Sequence, residues 1–195
     1  MTKSIISKKI LFWYDNNKRI LPWRKNTSKE QKLYFTLVSE FMLQQTQVST
    51  VIPYFKRFVQ KIPNFKKLSK ANDQTLMKLW EGLGYYSRAR NLKKSAIMIN
   101  GKFGGILPSN FEDLKSLPGV GDYTSTAIMA IAFNQKFIPL DGNVERILKR
   151  VLYLRNEKDI SKENMQISKN FFGLSERASD YAQAIMELGL SLIHI

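Results

Sequence analysis

The sequence lacks cysteine entirely, and it has a single histidine, His194, among its 195 residues. Disulfides, thiolate metal sites and a cysteine nucleophile are therefore excluded. No apolar run approaches the length of about 20 residues that a membrane-spanning helix needs, and the basic N-terminus is not followed by the apolar core of a signal peptide. These absences predict a cytoplasmic protein that does not enter a membrane.

Acidic residues are scarce, because 16 Asp and Glu stand against 31 Lys and Arg and give a formal net charge of +15. A charge of this size favours a polyanionic partner, and nucleic acid is the first class to consider. The alternative is that a lysine-rich composition with many Ile and Asn reflects an AT-rich genome. Hydrophobic residues make up 44% of the chain, which is enough to fill a core.

Alternating runs of the strand type are also missing, and the sequence shows no internal repeat. Apolar residues recur at helical spacing instead, in segments that begin near residues 4, 33, 51, 72, 89, 110, 123, 141, 162 and 179. Asn72 and Asn110 are expected helix N-caps, the second with Asp113 at N3. The polar stretch before Leu33 is expected to be an exposed loop. The predicted fold class is all-α.

Two glycines, Gly119 and Gly121, follow Pro118 and precede a predicted helix over residues 123–133. Proline favours a turn, and glycine permits backbone angles that are closed to other residues. Such a turn can present amide N–H groups to a phosphate, and the N-terminus of the following helix adds partial positive charge. The alternative is an ordinary corner between two helices with glycine as a C-cap.

Two carboxylates stand out, Glu40 inside an apolar helical segment and Asp141 beyond the glycine-rich corner. Cleavage of a glycosidic bond needs a proton for the leaving group and negative charge near the cationic sugar, so two carboxylates in unlike surroundings suit it. Apolar surroundings would raise the pKa of Glu40 and keep it protonated. The alternatives are a solvated helix face for Glu40 and an N-cap for Asp141.

Polar and aromatic residues between the predicted helices form a further set of candidates: Gln44, Gln45, Leu83, Tyr85 and Tyr86. Such residues can enter a duplex or stack where a base has been extruded. The alternative is local hydrogen bonding by the glutamines and core packing by the tyrosines. A basic cluster follows and is interpreted as facing phosphate, or else as a merely solvated helix face: Arg88, Arg90, Lys93 and Lys94.

Five motifs in order carry a family resemblance. They are Leu21-Pro22-Trp23, Ser39-Glu40-Phe41-Met42-Leu43-Gln44-Gln45-Thr46-Gln47-Val48, Gly82-Leu83-Gly84-Tyr85-Tyr86-Ser87-Arg88-Ala89-Arg90-Asn91, Leu117-Pro118-Gly119-Val120-Gly121 and Leu140-Asp141-Gly142-Asn143-Val144. The chain resembles the catalytic part of the MutY-type adenine DNA glycosylases, within the helix-hairpin-helix superfamily that includes endonuclease III. The second and third motifs are specific to the adenine glycosylases, and the last two are shared with the wider superfamily.

The resemblance implies catalytic roles. Glu40 would protonate the departing adenine, and Asp141 would stabilise the cationic sugar or its covalent successor, assisted by Asn143. Tyr123 occupies the position of the Schiff-base lysine in bifunctional relatives, and a phenol cannot form that imine.

The resemblance also implies a partner, duplex DNA with adenine opposite 8-oxoguanine or guanine, bound by a monomer. The residues expected to contact DNA are Gln44, Gln45, Thr46, Leu83, Tyr85, Arg88, Arg90, Pro118, Gly119, Val120 and Gly121. The hairpin of residues 118–121 is the expected phosphate-binding element and, in the family, sometimes holds an alkali cation through backbone carbonyls. The implied fold has two helical lobes, one of residues 27–136 and one of residues 1–26 and 137–195.

The sequence departs from the family pattern at two places. The stretch from Trp23 to Glu40 is a few residues longer and lacks the usual Pro-Tyr before the catalytic helix. After Gly189 the four cysteines of a 4Fe-4S cluster are expected and do not occur, so we expect neither that cluster nor the C-terminal domain, and interpret the chain as the product of a truncated gene. Two alternatives stay open: a DNA-binding fragment with impaired catalysis, and a mismatch glycosylase for another base.

Overall fold

The structure, a computed structural model, describes residues 3–151 and 171–194, and every regular element in those residues is a helix. In chain order the α-helices of this part are α1 Lys3–Asn17, α2 Lys29–Leu43, α3 Val48–Lys61, α4 Phe65–Ser69, α5 Asp73–Trp80, α6 Ser87–Lys102, α7 Phe111–Lys115, α8 Asp122–Ile131, α9 Gly142–Val151 and α10 Ala178–Ser191. Short 3₁₀ turns cover Pro22–Arg24 and Leu192–His194. The all-α prediction is confirmed. The helix expected over residues 162–172 lies largely outside the described residues.

The chain divides into two compact units, Ile20–Ser125 and the combination of Met1–Arg19 with Thr126–Ile195. These boundaries differ from the expected 27–136 lobe at both ends. Trp23 packs edge-on against Phe55 with ring centroids 5.3 Å apart, which attaches the first 3₁₀ turn to the first unit. Ser179 donates its hydroxyl to the Ile131 carbonyl at 2.8 Å, which attaches the end of α8 to the second unit.

Helix α2 begins earlier than expected, since its first residue is Lys29 and the last four residues of the polar stretch before Leu33 are helical. Ser28 is the N-cap, and its hydroxyl oxygen accepts from the Gln31 N–H at 3.2 Å. Glu30 lies in the first turn, where a negative charge stabilises the helix N-terminus. The expectation of a loop was therefore wrong for residues 29–32, whereas residues 25–28 lie outside regular secondary structure.

Two predicted caps are present. Asn72 accepts from the Gln74 N–H at 2.7 Å, and Asn110 accepts from the Asp113 N–H at 2.9 Å. Helix α4 was not predicted from the sequence. It is a single short turn capped by Asn64, and it is fixed to α6 by the Asn100 amide, which donates to the Phe65 carbonyl at 3.0 Å.

Aromatic side chains fill the core of the first unit. Phe58 and Trp80 are fully buried and meet edge-on with ring centroids 6.0 Å apart. Tyr34 is also buried, meets Phe65 edge-on at 5.1 Å, and donates its hydroxyl to the Ile62 carbonyl. A buried phenol needs such a partner, and this one connects α2 to the end of α3.

The core of the second unit is built from α9, α10 and the segments that precede each of them. Its buried apolar members are Ile138, Val144, Ile147, Leu148, Phe172, Tyr181 and Ile185. The Tyr181 hydroxyl donates to the Phe172 carbonyl. Arg177 joins α1 to α10, because its guanidinium contacts Asp15 at 2.7 Å and Asp180 at 2.8 Å.

Candidate functional site

Glu40 lies near the C-terminal end of α2, and only 7% of the residue is exposed. Its helix neighbours Leu37, Val38 and Phe41 are completely buried. The apolar setting expected from the sequence is present, and Glu40 as a residue is buried in it.

The α2–α3 loop, residues 44–47, follows Glu40 within one helical turn. Gln45 is exposed and has a φ of +55°, a left-handed conformation that is uncommon for a residue other than glycine. Gln44 and Thr46 are half-buried on either side of it. The loop therefore presents the Gln45 side chain outward from a constrained backbone.

The α5–α6 loop, residues 81–86, carries the aromatic candidates. Tyr85 is 62% exposed and has a φ of +46°, and Tyr86 is also exposed. Leu83 differs from what was expected for a duplex-entering side chain, because only 5% of it is exposed. Its N–H donates to the Trp80 carbonyl at 3.0 Å, so the turn folds Leu83 back towards the end of α5.

The basic cluster on α6 separates into residues with different surroundings. Arg90 and Lys94 are exposed, as expected for side chains that face phosphate. Lys93 forms an ion pair with Asp73 at 2.5 Å. Arg88 is only 6% exposed, and its guanidinium donates to backbone carbonyls of the protein. The sequence suggested a phosphate-facing Arg88, and the structure places it inside the first unit.

The hairpin, residues 118–121, lies between α7 and α8. Gly119 has a φ of +81°, and a Cβ on it would lie 2.9 Å from both the Asn91 Cβ and the Phe41 ring. Glycine is therefore required there both for its backbone angle and for its lack of a side chain. Val120 is buried, whereas Gly119 and Gly121 are exposed.

Side chains hold the hairpin through its carbonyl groups. Ser95 Oγ donates to the Pro118 carbonyl at 2.9 Å, and Gln44 Nε2 donates to the Gly119 carbonyl at 3.3 Å. Ser125 Oγ donates to the Gly121 carbonyl at 2.9 Å. The hairpin is thus connected to α6, to the α2–α3 loop and to α8. Tyr123 lies in the first turn of α8, directly after the hairpin, and is half-buried.

Asp141 lies in the second unit and is the N-cap of α9. Its Oδ1 accepts from the N–H groups of Asn143 at 3.0 Å and Val144 at 2.8 Å, and its Oδ2 accepts from the Asn143 side-chain amide at 2.8 Å. Burial raises the pKa of the Asp141 carboxyl above its ordinary value, while these hydrogen bonds and the charge of Arg146 act in the opposite direction. The role of Asp141 as the N-cap of α9 is therefore compatible with a catalytic role for its carboxylate.

Sequence reasoning missed two residues that support Asp141 through Asn143, namely Arg146 and Gly189. Arg146 Nη1 donates to the Asn143 Oδ1 at 3.0 Å and to the Gly189 carbonyl at 2.9 Å. Asn143 is thus held by Asp141 on one side and by Arg146 on the other. The spacing of three residues between Asn143 and Arg146 on one helix was the available signal.

Within residues 3–151 and 171–194, no group of three or more His, Cys, Asp or Glu side chains is placed to hold a metal ion. The 4Fe-4S cluster associated with the family by resemblance needs thiolate ligands, and the residues of this chain supply none, so they do not fit it. Among the helices of the described ranges, none has both the length and the apolar character to cross a membrane.

Solved structures with the same fold are DNA glycosylases and endonuclease III. A thermostable thymine-DNA glycosylase superposes with a TM-score of 0.81 at 24% identity, over 96% of this chain and 85% of that one. A trapped endonuclease III–DNA covalent intermediate superposes with a TM-score of 0.74 at 21% identity, over 95% and 85%. The fold is therefore that of the helix-hairpin-helix DNA glycosylases.

Residues 38–171 match the family model described as HhH-GPD superfamily base excision DNA repair protein. The match covers more than half of the chain, and the chain belongs to this superfamily.

Curated relatives are adenine DNA glycosylases. The chain is 40% identical over 196 residues to that of Buchnera aphidicola subsp. Acyrthosiphon pisum (strain APS), which covers 98% of this chain and 55% of that protein. The chain is also 42% identical over 194 residues to the adenine DNA glycosylase of Homo sapiens, and this alignment covers 94% of this chain and 35% of that protein. The resemblance found in the sequence is confirmed, and the chain spans about a third to a half of the length of these relatives.

Proposed function

We propose that this chain is the catalytic part of a monofunctional adenine DNA glycosylase, which hydrolyses the N-glycosidic bond of adenine mispaired with 8-oxoguanine or guanine in duplex DNA. The observation that carries the proposal is the 40% identity to an adenine DNA glycosylase over 98% of the chain. The same proposal treats the protein as a cytoplasmic monomer, with lobes close to the two compact units.

In this proposal Glu40 is the general acid that protonates the departing adenine. Its buried position in α2 supports the role, because a proton donor that acts on a leaving group works best away from bulk water. Asp141 supplies the negative charge that stabilises the oxocarbenium-like sugar, and Asn143 fixes the orientation of its carboxylate. Tyr123 cannot form an imine, so the reaction stops at the abasic site.

Duplex DNA is bound, in the same proposal, by the hairpin and by the two loops of the first unit. The exposed glycines of the hairpin allow a phosphate to approach the backbone closely. Gln45 and Tyr85 are the side chains that enter the duplex, and Leu83 takes part after it moves from its buried position. An alkali cation at the hairpin remains part of the proposal, since a carbonyl oxygen that accepts one hydrogen bond keeps a second lone pair.

The direct test is excision of adenine from duplexes that carry 8-oxoguanine, guanine or thymine opposite it, with strand cleavage by alkali as the readout. We expect cleavage at adenine opposite 8-oxoguanine and guanine. Salt-sensitive binding without any cleavage would instead support a DNA-binding protein with impaired catalysis. Release of a different base would support a mismatch glycosylase of other specificity.

A further inference from the structure

Arg88 is a buried cation whose guanidinium reaches two separate loops. One nitrogen, Nη1, shares its two N–H bonds among four acceptors at the end of α2 and in the α2–α3 loop: the Met42 carbonyl at 2.9 Å, the Phe41 carbonyl at 3.3 Å, Thr46 Oγ1 at 3.1 Å and the Gln44 carbonyl. The other, Nη2, donates to carbonyls of the α5–α6 loop: Leu83 at 3.0 Å and Gly84 at 3.2 Å. A single side chain therefore connects the two loops.

The contacts of Nη1 stabilise the end of the helix that carries Glu40. The last carbonyls of an α-helix have no partner within the helix, and a positive charge at that end is favourable. Phe41 and Met42 directly follow Glu40, so their carbonyls, and with them the backbone of Glu40, are held by Arg88.

Each of the two loops also contains a residue in a left-handed conformation. Gln45, with φ +55°, lies between two residues bound by Arg88, and Tyr85, with φ +46°, directly follows a third. The Arg88 guanidinium also lies 5.4 Å from the centre of the Tyr85 ring. Strained backbone of this kind persists only where neighbouring contacts hold it.

The two nitrogens on a planar fork explain why arginine is required at this position. A lysine ammonium has only one nitrogen, so it cannot donate to both loops from two separate atoms as the guanidinium does. The effect extends to the hairpin through Gln44. The Gln44 side-chain amide donates to the Gly119 carbonyl, and the Gln44 backbone carbonyl accepts from Arg88.

We propose that Arg88 is a positioning residue for base excision: its guanidinium holds the Glu40 end of α2, the Gln45 loop and the Tyr85 loop in one arrangement before DNA arrives. It is not a phosphate contact. The inference rests on the proposed function for its effect on catalysis, whereas its effect on the two loops stands on the geometry of the free protein.

The test compares Arg88→Met and Arg88→Lys with a control variant, Lys66→Met. Lys66 is an exposed lysine on α4, outside both loops, so its replacement removes the same charge. The first measurement is amide hydrogen exchange over residues 42–47 and 82–87 in the free proteins. We expect both segments to exchange faster in both Arg88 variants and neither to change in Lys66→Met.

The second measurement separates DNA affinity from the single-turnover rate of adenine excision at saturating protein. We expect the rate to fall roughly tenfold to a hundredfold in both Arg88 variants, as for other small displacements of reacting groups. Duplex affinity should stay within about threefold of the wild type, because phosphate contacts elsewhere dominate it. Arg88→Lys keeps the test decisive if Arg88→Met does not fold.

Two results would overturn the inference. One is unchanged exchange in both segments, and the other is a loss of affinity at low salt with an unchanged rate at saturation, which is the behaviour of a phosphate contact. If the wild-type protein does not excise adenine, the proposed function fails, and the exchange measurement alone decides whether Arg88 holds the loops.

Discussion

Asn143 and Gly189 approach so closely that no side chain fits between them. A Cβ on Gly189 would lie 2.6 Å from the Asn143 carbonyl carbon and 2.8 Å from its Cβ, and Arg146 bridges the same two residues. We expect Gly189→Ala to push Asn143 away from Asp141, to destabilise the protein by about 1–3 kcal/mol and to slow excision. Urea unfolding and single-turnover excision measure the two effects.

Gly101→Ala is the matched control for this substitution. Gly101 also lies in a helix, α6, and a Cβ there would meet nothing within 4 Å. Alanine should stabilise that helix by about 0.5–1 kcal/mol and leave excision unchanged. Equal effects of the two substitutions would show that Gly189 has no special packing role.

Glu40→Gln should abolish excision while duplex binding stays nearly unchanged. Glutamine keeps the size and much of the hydrogen bonding of the buried side chain but cannot donate the proton. General acid catalysis contributes roughly a hundredfold to ten-thousandfold, so the single-turnover rate should fall by at least that range.

Glu30→Gln provides the control on the same helix, since Glu30 is exposed in the first turn of α2. Its excision rate should equal that of the wild type. A Glu40→Gln protein that still excised adenine at the wild-type rate would remove Glu40 from the mechanism.

Asp141→Asn should stop excision while keeping the N-cap, because the asparagine side-chain oxygen can still accept from the Asn143 and Val144 N–H groups. Burial raises the pKa of Asp141, so the folded protein holds that proton more tightly than the unfolded chain. Stability of the wild type therefore falls as pH rises from the ordinary pKa of 3.8 to the raised one, and the lower level persists above it. The asparagine variant has no such loss.

Urea unfolding of both proteins from about pH 3.5 to 7 checks this prediction. The stability of Asp141→Asn relative to the wild type should increase with pH over the lower part of that range. A relative stability that decreased instead would mean that the hydrogen bonds to Asp141 outweigh the cost of its burial.

Tyr123 should leave the product as an intact abasic strand, cut only after alkali. Borohydride should trap no protein-linked DNA, and Tyr123→Phe should give the same result, because neither ring carries an amine. Endonuclease III, which has been solved as a trapped covalent intermediate with DNA, is the positive control. A strong adduct that disappeared in Tyr123→Phe would contradict this prediction.

Features that depend on a few neighbouring residues were predictable from the sequence. The Asn72 and Asn110 caps and the Asp141 cap follow from the residue type and the apolar pattern behind it. Helix α4 was not predicted because five residues are too few to show a helical period, so no apolar pattern after Asn64 marked that residue as an N-cap. The Ser28 cap was hidden by the lysines that follow it.

Features that depend on distant parts of the chain were not predictable from the sequence. Arg88 and Arg90 are both arginines in one basic stretch, and only the position of the α2 end decides that the first is buried. Leu83 belongs to a polar, glycine-rich loop, yet it is folded back towards α5. Glycine is required at position 189 because Asn143 of α9 packs against it, and no local sequence pattern indicates this contact.

Tyr34 and Tyr181 give the protein an optical reporter in each compact unit. Each donates its hydroxyl to a backbone carbonyl, of Ile62 and Phe172 respectively, and burial raises the pKa of both phenols. Neither ring forms the phenolate, with its longer-wavelength absorbance, until its own unit opens in alkali. The difference between the absorbance titrations of the wild-type protein and of a variant with one of the two replaced by phenylalanine therefore follows the opening of that residue's own unit without an attached dye.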